Sequence, residues 1–175
     1  VVVRDRAETA RLPWSYPKLA AFEAAASGFA GPIAAFATDN VTLLGEGPAE
    51  RLVIEFASAG YLDLLGARPI QGRLYGRAED SVPGANPIVV LSDRLWKRRF
   101  GAYPAIVGRT VTLNDLPFTV IGVLGPGFRS LSGAPELWTP LTMAPALTYP
   151  EILEEAGNHW LSAVAKLGPG LSVPS

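Results

Sequence analysis

His159 is the single histidine of a 175-residue chain that contains no cysteine. Those two facts bound the available chemistry at once. Metal cages built from several imidazoles or from thiolates are excluded, as are thiolate catalysis and disulfides. A Ser-His-Asp set would have to use the one imidazole, beside Trp160 at the start of an expected strand. No G-x-S-x-G elbow accompanies it, so His159 is expected to be structural or solvent-facing.

The remaining candidates are acids, glycines, tryptophans and cations. Glu79-Asp80 and Glu154-Glu155 are paired carboxylates, and an acid and base about 5 to 10 Å apart can cleave a glycoside. Adjacency in sequence does not supply that geometry, and loop or helix ends are the expected sites. "LGEGPAE", from Leu44, opens like a dinucleotide fingerprint but lacks the third glycine and a long following helix, and no G-x-x-x-x-G-K-[ST] pattern occurs. Trp14, Trp96, Trp138 and Trp160 are expected in the core or at its rim rather than around a ligand. No residue is therefore assigned a catalytic, cofactor-binding or metal-binding role, and no cofactor is expected.

"LWKRRF", residues 95 to 100, sets three cations between two aromatics. On a helix started by Ser92 and Asp93 and stopped by Gly101, Leu95, Trp96 and Phe100 make a buried stripe. Lys97, Arg98 and Arg99 then take the outer arc near the C-terminus, where cations complement the helix dipole. Fifteen basic and sixteen acidic residues leave a net charge of -1, so no overall field draws the chain to phosphate polymers. A nucleic-acid partner is not expected.

Stepping from these residues to the elements that carry them, 49% hydrophobic and 18% charged residues give ample apolar surface for a core. The opening "VVVRDRAETARLPW" lacks the features of a signal peptide, and Ala24 to Thr38, the longest uncharged run, is too short and too broken to span a membrane. The polypeptide as it stands is expected to be soluble. Missing cysteine suits cytoplasm and periplasm equally.

Ser15 to Ala26 reads as a helix with Ser15 as cap and Leu19, Phe22 and Glu23 at helical spacing, stopped by Gly28. "PIAAFATDNVTLLGEG" reads as two short strands around an Asp39-Asn40 turn. "RLVIEFAS" is a strand in which Leu52, Ile54 and Phe56 alternate with Val53, Glu55 and Ala57. A short helix follows, with Ser58 as cap, Tyr61, Leu62 and Leu65 on one face and Gly66 at its end. Ala67 to Pro87 is rich in glycine and proline and reads as a long ordered connection. "IVVLS" is a buried strand. "RTVTLNDLPFTVIGVL" is a hairpin turning at Asn114-Asp115, its second strand carrying Phe118, Val120, Gly122 and Leu124 on one parity. "ELWTPL" and "NHWLSAVAKL" are further strands. The fold class is α+β.

The succession "GYLDLLGARPIQGRLY", "NPIVVLSDRLWKRRFGAYPAIVGRTVTLNDLPFTVIGVLGPGFR" and "ELWTPL" resembles the MacB-like periplasmic core domain of ABC-transporter permeases of the MacB and FtsX type, the orphan or duplicated permeases in particular. The likeness runs from about Ser15 to Leu171. Asp115 stands where the family often has glycine in "LNG", and "AYPAIVG" replaces "ADPAIVG".

The resemblance implies one extracytoplasmic domain over 1–175, on the periplasmic face of the bacterial inner membrane. It implies a porter-like α/β lobe (15–87 plus 141–175) and an inserted, smaller β-rich lobe with one helix (88–140). The implied role is noncatalytic: relaying conformational change to an adaptor or cargo in export or mechanotransmission. The implied partners are the rest of the permease chain with its transmembrane helices, a separate cytoplasmic ATPase, a periplasmic adaptor and a second permease copy. The resemblance transfers no site residue. It also implies a further helix after "GPGLSVPS", capped by Ser172, whose lack would leave an apolar groove open. The alternative is a free-standing periplasmic ligand-binding or hydrolytic domain of the same fold.

Overall fold

The computed structural model describes residues 14–25, 31, 33–45, 47–166 and 168. Helix α1 (Tyr16–Ala25) leads into strands β1 (Ala34–Leu44) and β2 (Glu50–Ala57), helix α2 (Tyr61–Leu64), and strands β3 (Pro69–Gly72) and β4 (Ile88–Leu91). Helix α3 (Asp93–Phe100) precedes β5 (Thr110–Leu113), β6 (Leu116–Leu124) and β7 (Leu137–Pro140). A 3-10 turn at Leu141–Met143, helix α4 (Ala144–Leu147), a second 3-10 turn at Pro150–Leu153 and β8 (Ser162–Val164) complete the order.

The strands close on themselves. β1 pairs with β2, β2 with β7, β7 with β4, β4 with β6, β6 with β5 and β5 with β1, while β3 joins β6 and β8 joins β1 from outside the ring. The β2–β7 and β4–β6 pairs are parallel and the other ring pairs antiparallel. Closure removes open edges from the ring. Strands between residues 88 and 140 pair with β1 and β2, so the lobe boundaries expected at 88 and 140 coincide with no break in the sheet.

All six ring strands send side chains into one apolar cluster, among them Leu43, Ile54, Phe56, Leu91, Leu113, Phe118 and Leu137. The opposite face carries a second cluster, with Ala57, Val90, Ile121, Leu124 and Trp138 packed under Tyr61 and Leu62 of α2. A bulge separates the two parities in β6: Val89 pairs with Val120 but Val90 with Gly122. The extra residue re-aims the strand. Phe118 and Val120 therefore join the first cluster and Leu124 the second, instead of the single parity expected.

Several local readings hold. Ser92 caps α3 by accepting from the Leu95 amide at 3.1 Å, and Gly101 closes it at φ 58. Gly66, at φ 73, ends α2. The hairpin turns at Asn114 and Asp115, whose φ of 46 and 67 are both left-handed, as in the tight turns that suit strand twist.

Others change. β1 is one strand through Asp39 and Asn40, because those residues stay in ladder register with Ile54 and Val53 of β2. Pro69–Gly72, expected within a connection, is recruited as β3 by β6. Ser15 Oγ is buried and finds no hydrogen-bond partner among the described residues, so it does not cap α1. On α1 Leu19 is buried, whereas Phe22 and Glu23 are exposed. Ser58 Oγ accepts from the Ala35 amide at 2.8 Å and so ties β1 instead of capping α2, which starts at Gly60 with no side-chain cap. The Gly28 stop and the helix expected from Ser172 lie outside the described residues.

Candidate functional site

The groups singled out by sequence do not converge. His159 is half-buried and its Nε2 faces Lys18 Nζ on α1 at 2.8 Å. Glu79 and Asp80 point apart chemically. Glu79 is clasped by Arg73 through two bonds, of 2.9 and 2.5 Å, and takes the Gly76 amide at 2.9 Å. Arg73 holds its carboxyl below the ordinary range. Asp80 instead accepts the Ala59 amide at 2.9 Å and the Thr142 amide at 3.0 Å, stitching β2's exit to the chain after β7. Burial pushes its carboxyl up, against those amides. Glu155 accepts from Tyr149 at 3.2 Å and Glu154 is exposed.

Two of the three cations in the basic stretch are committed to acids of the same chain. Lys97 pairs with Asp93 at 2.9 Å one turn back, and Arg98 bridges Glu50 on β2 and Glu136 just before β7. Arg99 lies over Gly47, where an added Cβ would come within 2.8 Å of Nη1. Gly45 and Gly47, at φ 119 and 93, belong to the turn joining β1 to β2, which accounts for "LGEGPAE" without a phosphate. Of the tryptophans, Trp138 is buried, while Trp14, Trp96 and Trp160 pack partly buried against the main cluster. Among the described residues, no three acids or histidines stand together as metal ligands.

A cavity of about 350 Å³ lies between α1 and the ring, lined by Tyr16, Leu19, Ile33, Ser58, Arg77 and Asp80 among others. Glu23 and Arg77, both on its wall, approach to 3.8 Å. Asp80, the half-buried carboxylate on its wall, already spends both oxygens on backbone amides.

A polar centre that sequence reasoning missed sits under the second cluster. Glu55, on β2, is 0% exposed. Its Oε2 accepts from Trp138 Nε1 at 2.7 Å, and its Oε1 from Tyr61 and Ser130 at 3.3 Å each. Tyr61 oxygen in turn accepts the Leu131 amide at 3.2 Å. Burial pushes the Glu55 carboxyl above its ordinary range, against the pull of Ser132, Trp138, Ser130 and Tyr61. Burial and the nearby Glu55 also raise the Tyr61 phenol. Strand parity placed Glu55 with Val53 and Ala57; Val53 is exposed, but α2 and the 128–133 loop cover Glu55. The available signal was a lone acid between Ile54 and Phe56, in a chain offering Trp, Tyr and Ser donors elsewhere.

Residues 2–175 match the model of the MacB-like periplasmic core domain. No curated protein sequence matches significantly. Among solved structures, the extracellular domain of the noncanonic ABC-type transporter YknZ from Gram-positive bacteria superposes at a TM-score of 0.69 and 17% identity, covering 92% of this chain and 76% of that one. The periplasmic region of MacB from Actinobacillus actinomycetemcomitans gives 0.71 and 17%, covering 94% and 70%. A domain of a putative permease from Porphyromonas gingivalis gives 0.70 and 20%, covering 92% and 71%. These likenesses carry the fold, and none of the described helices is long and apolar enough to cross a membrane. With nearly every residue inside the family match, the chain belongs to the MacB-like periplasmic core domains, the extracytoplasmic part of ABC-type transporter permeases.

Proposed function

We propose that this domain is a noncatalytic relay, passing conformational change from its permease's membrane helices to an extracytoplasmic adaptor or cargo, in export or mechanotransmission. Membership of a permease family implies membrane-spanning helices and an ATPase as partners; the adaptor and a second permease copy belong to the proposal. The observation that carries it is the closed ring, in which β1 and β2 are each hydrogen-bonded to strands 60 or more residues away in sequence. A load on one strand of such a ring is shared by its neighbours, because no pair can slip without breaking a ladder on its other side. The reactive groups support the same reading, since Asp80, Glu55 and Arg98 are spent on tying elements together.

The domain itself carries no cysteine, so labels placed in it are unique there once any cysteines elsewhere in the permease and its ATPase are replaced. In the full-length permease with its ATPase, spin labels would be placed at Lys97→Cys and Asp115→Cys, with a third on a membrane helix. The relay keeps the distance within the domain constant between ATP-bound and ADP-bound states, while the distance to the membrane helix changes. A domain that stays put through the nucleotide cycle, or purified chain that turns over a substrate with its own side chains, overturns it.

A further inference from the structure

Glu55 is fully buried, yet a chain of hydroxyls leads from it to the surface. Ser130 Oγ donates to Glu55 Oε1, Ser130 Oγ lies 3.0 Å from Ser132 Oγ with either able to donate, and Ser132 is exposed. An apolar side chain at this strand position would avoid the cost of burying a carboxylate. The acid, its donors and its route to water form a constructed site.

We propose that Glu55 is a proton-binding site of the domain, filled and emptied through Ser132 and Ser130, and that its occupancy sets how tightly the 128–133 loop is held. The step balances in protons. Solvent gives a proton to Ser132 Oγ as that hydroxyl passes its own to Ser130, and Ser130 passes its own to Glu55 Oε1. Both serines end neutral with their hydroxyls reversed, and one proton has been taken up.

The two states hold the loop differently. When ionised, Oε1 accepts from Ser130 and from Tyr61, and the Tyr61 oxygen takes the Leu131 amide, so two of the loop's anchors trace back to one anion. When protonated, Oε1 becomes a donor, the Ser130 hydroxyl turns away and the loop loses a charge-assisted bond. Phe128, edge-on to Trp138 with ring centroids 5.6 Å apart, keeps the loop seated in both states.

The titratable neighbours are Tyr61 on α2 and Tyr75 beyond β3. The Tyr75 phenol is raised chiefly by burial, then by Asp80, Glu55 and Tyr61. Arg129 rides on the loop itself. Among the described residues no ion pair reaches Glu55, so its charge is balanced by hydrogen bonds alone.

The test is a pH titration of the 175-residue chain by amide NMR, following the Trp138 indole N–H and the Leu131 amide. Both are expected to shift through one common midpoint, above the value of about 4.3 for an unperturbed glutamate. Glu55→Gln, which can accept from Trp138 and donate to a hydroxyl, should abolish the step while the remaining amides keep their dispersion. Ser130→Ala removes one donor to the anion and should move the midpoint upward; Asp80→Asn should leave it in place. Flat wild-type resonances, a step that survives Glu55→Gln, or an unmoved midpoint in Ser130→Ala each overturn the proposal. Should Glu55→Gln fail to fold, the Ser130→Ala midpoint decides.

Discussion

Glu55 and Trp138 stand opposite each other in the parallel register of β2 and β7, and the indole of one is hydrogen-bonded to the carboxylate of the other at 2.7 Å. Backbone pairing and side-chain bond therefore enforce the same alignment. Trp138→Phe keeps a ring but strands Oε2 without its donor and leaves space behind. A loss of about 2 to 4 kcal/mol is expected, read as a lower urea midpoint with an unchanged slope. A variant as stable as wild type would show that this bond does not hold β7 in place.

The raised Glu55 carboxyl has a definite linkage sign. A carboxyl whose pKa is higher folded than unfolded binds more protons in the folded state. Its contribution to stability is therefore lost as pH climbs from the unfolded value, about 4.3, through the folded one, and is level above it. Urea midpoints of wild type and Glu55→Gln measured from about pH 4 to about pH 8 should diverge in the variant's favour as pH rises. Asp80, also raised by burial, predicts the same trend for Asp80→Asn, while Glu79, lowered by Arg73, predicts the reverse for Glu79→Gln.

Two left-handed glycines separate strain from collision. Gly66, at φ 73, has nothing within 4 Å of an added Cβ, whereas at Gly72, φ 64, that atom would lie 2.0 Å from the Ile121 carbonyl oxygen. Gly66→Ala should cost about 1 kcal/mol, the left-handed penalty alone. Gly72→Ala should cost more than about 3 kcal/mol, or prevent folding, because β3 cannot approach β6. Equal losses would show that the close approach of the two strands is dispensable.

Asp115 occupies a left-handed turn position, φ 67, without glycine's freedom. Asp115→Gly should raise stability by up to about 1 kcal/mol. Ser92→Ala, which removes the α3 cap, should lower it by about 1 kcal/mol. Thermal melts of the two single variants should move in opposite directions.

What the sequence conveyed was local. Ser92, Gly101 and the Asn114-Asp115 turn could be read because cap and turn chemistry is decided within a few residues. Asp39-Asn40 misled for the same reason: the dipeptide favours a turn, but its place opposite Ile54 and Val53 keeps the strand running. The β6 bulge arises from pairing with β4, which periodicity along one strand does not encode. The polar centre was hidden most deeply, since Glu55, Tyr61, Ser130 and Trp138 span 83 positions between Glu55 and Trp138 and meet only once the ring has closed. The resemblance to a family reached further than the physics of the residues, because it carried information about the whole chain.

The parallel seam between β2 and β7 also governs the order of assembly. A polypeptide threaded N-terminus first can form the β1–β2 hairpin early, from neighbouring residues, but Ile54 to Ala57 gain their second partner only when Leu137 to Pro140 arrive. Until then the outer border of β2 is a sticky template for any extended chain nearby. A newly exported copy should therefore be most vulnerable to entanglement with its siblings, and most in need of a chaperone's cover, in the interval between those two stretches.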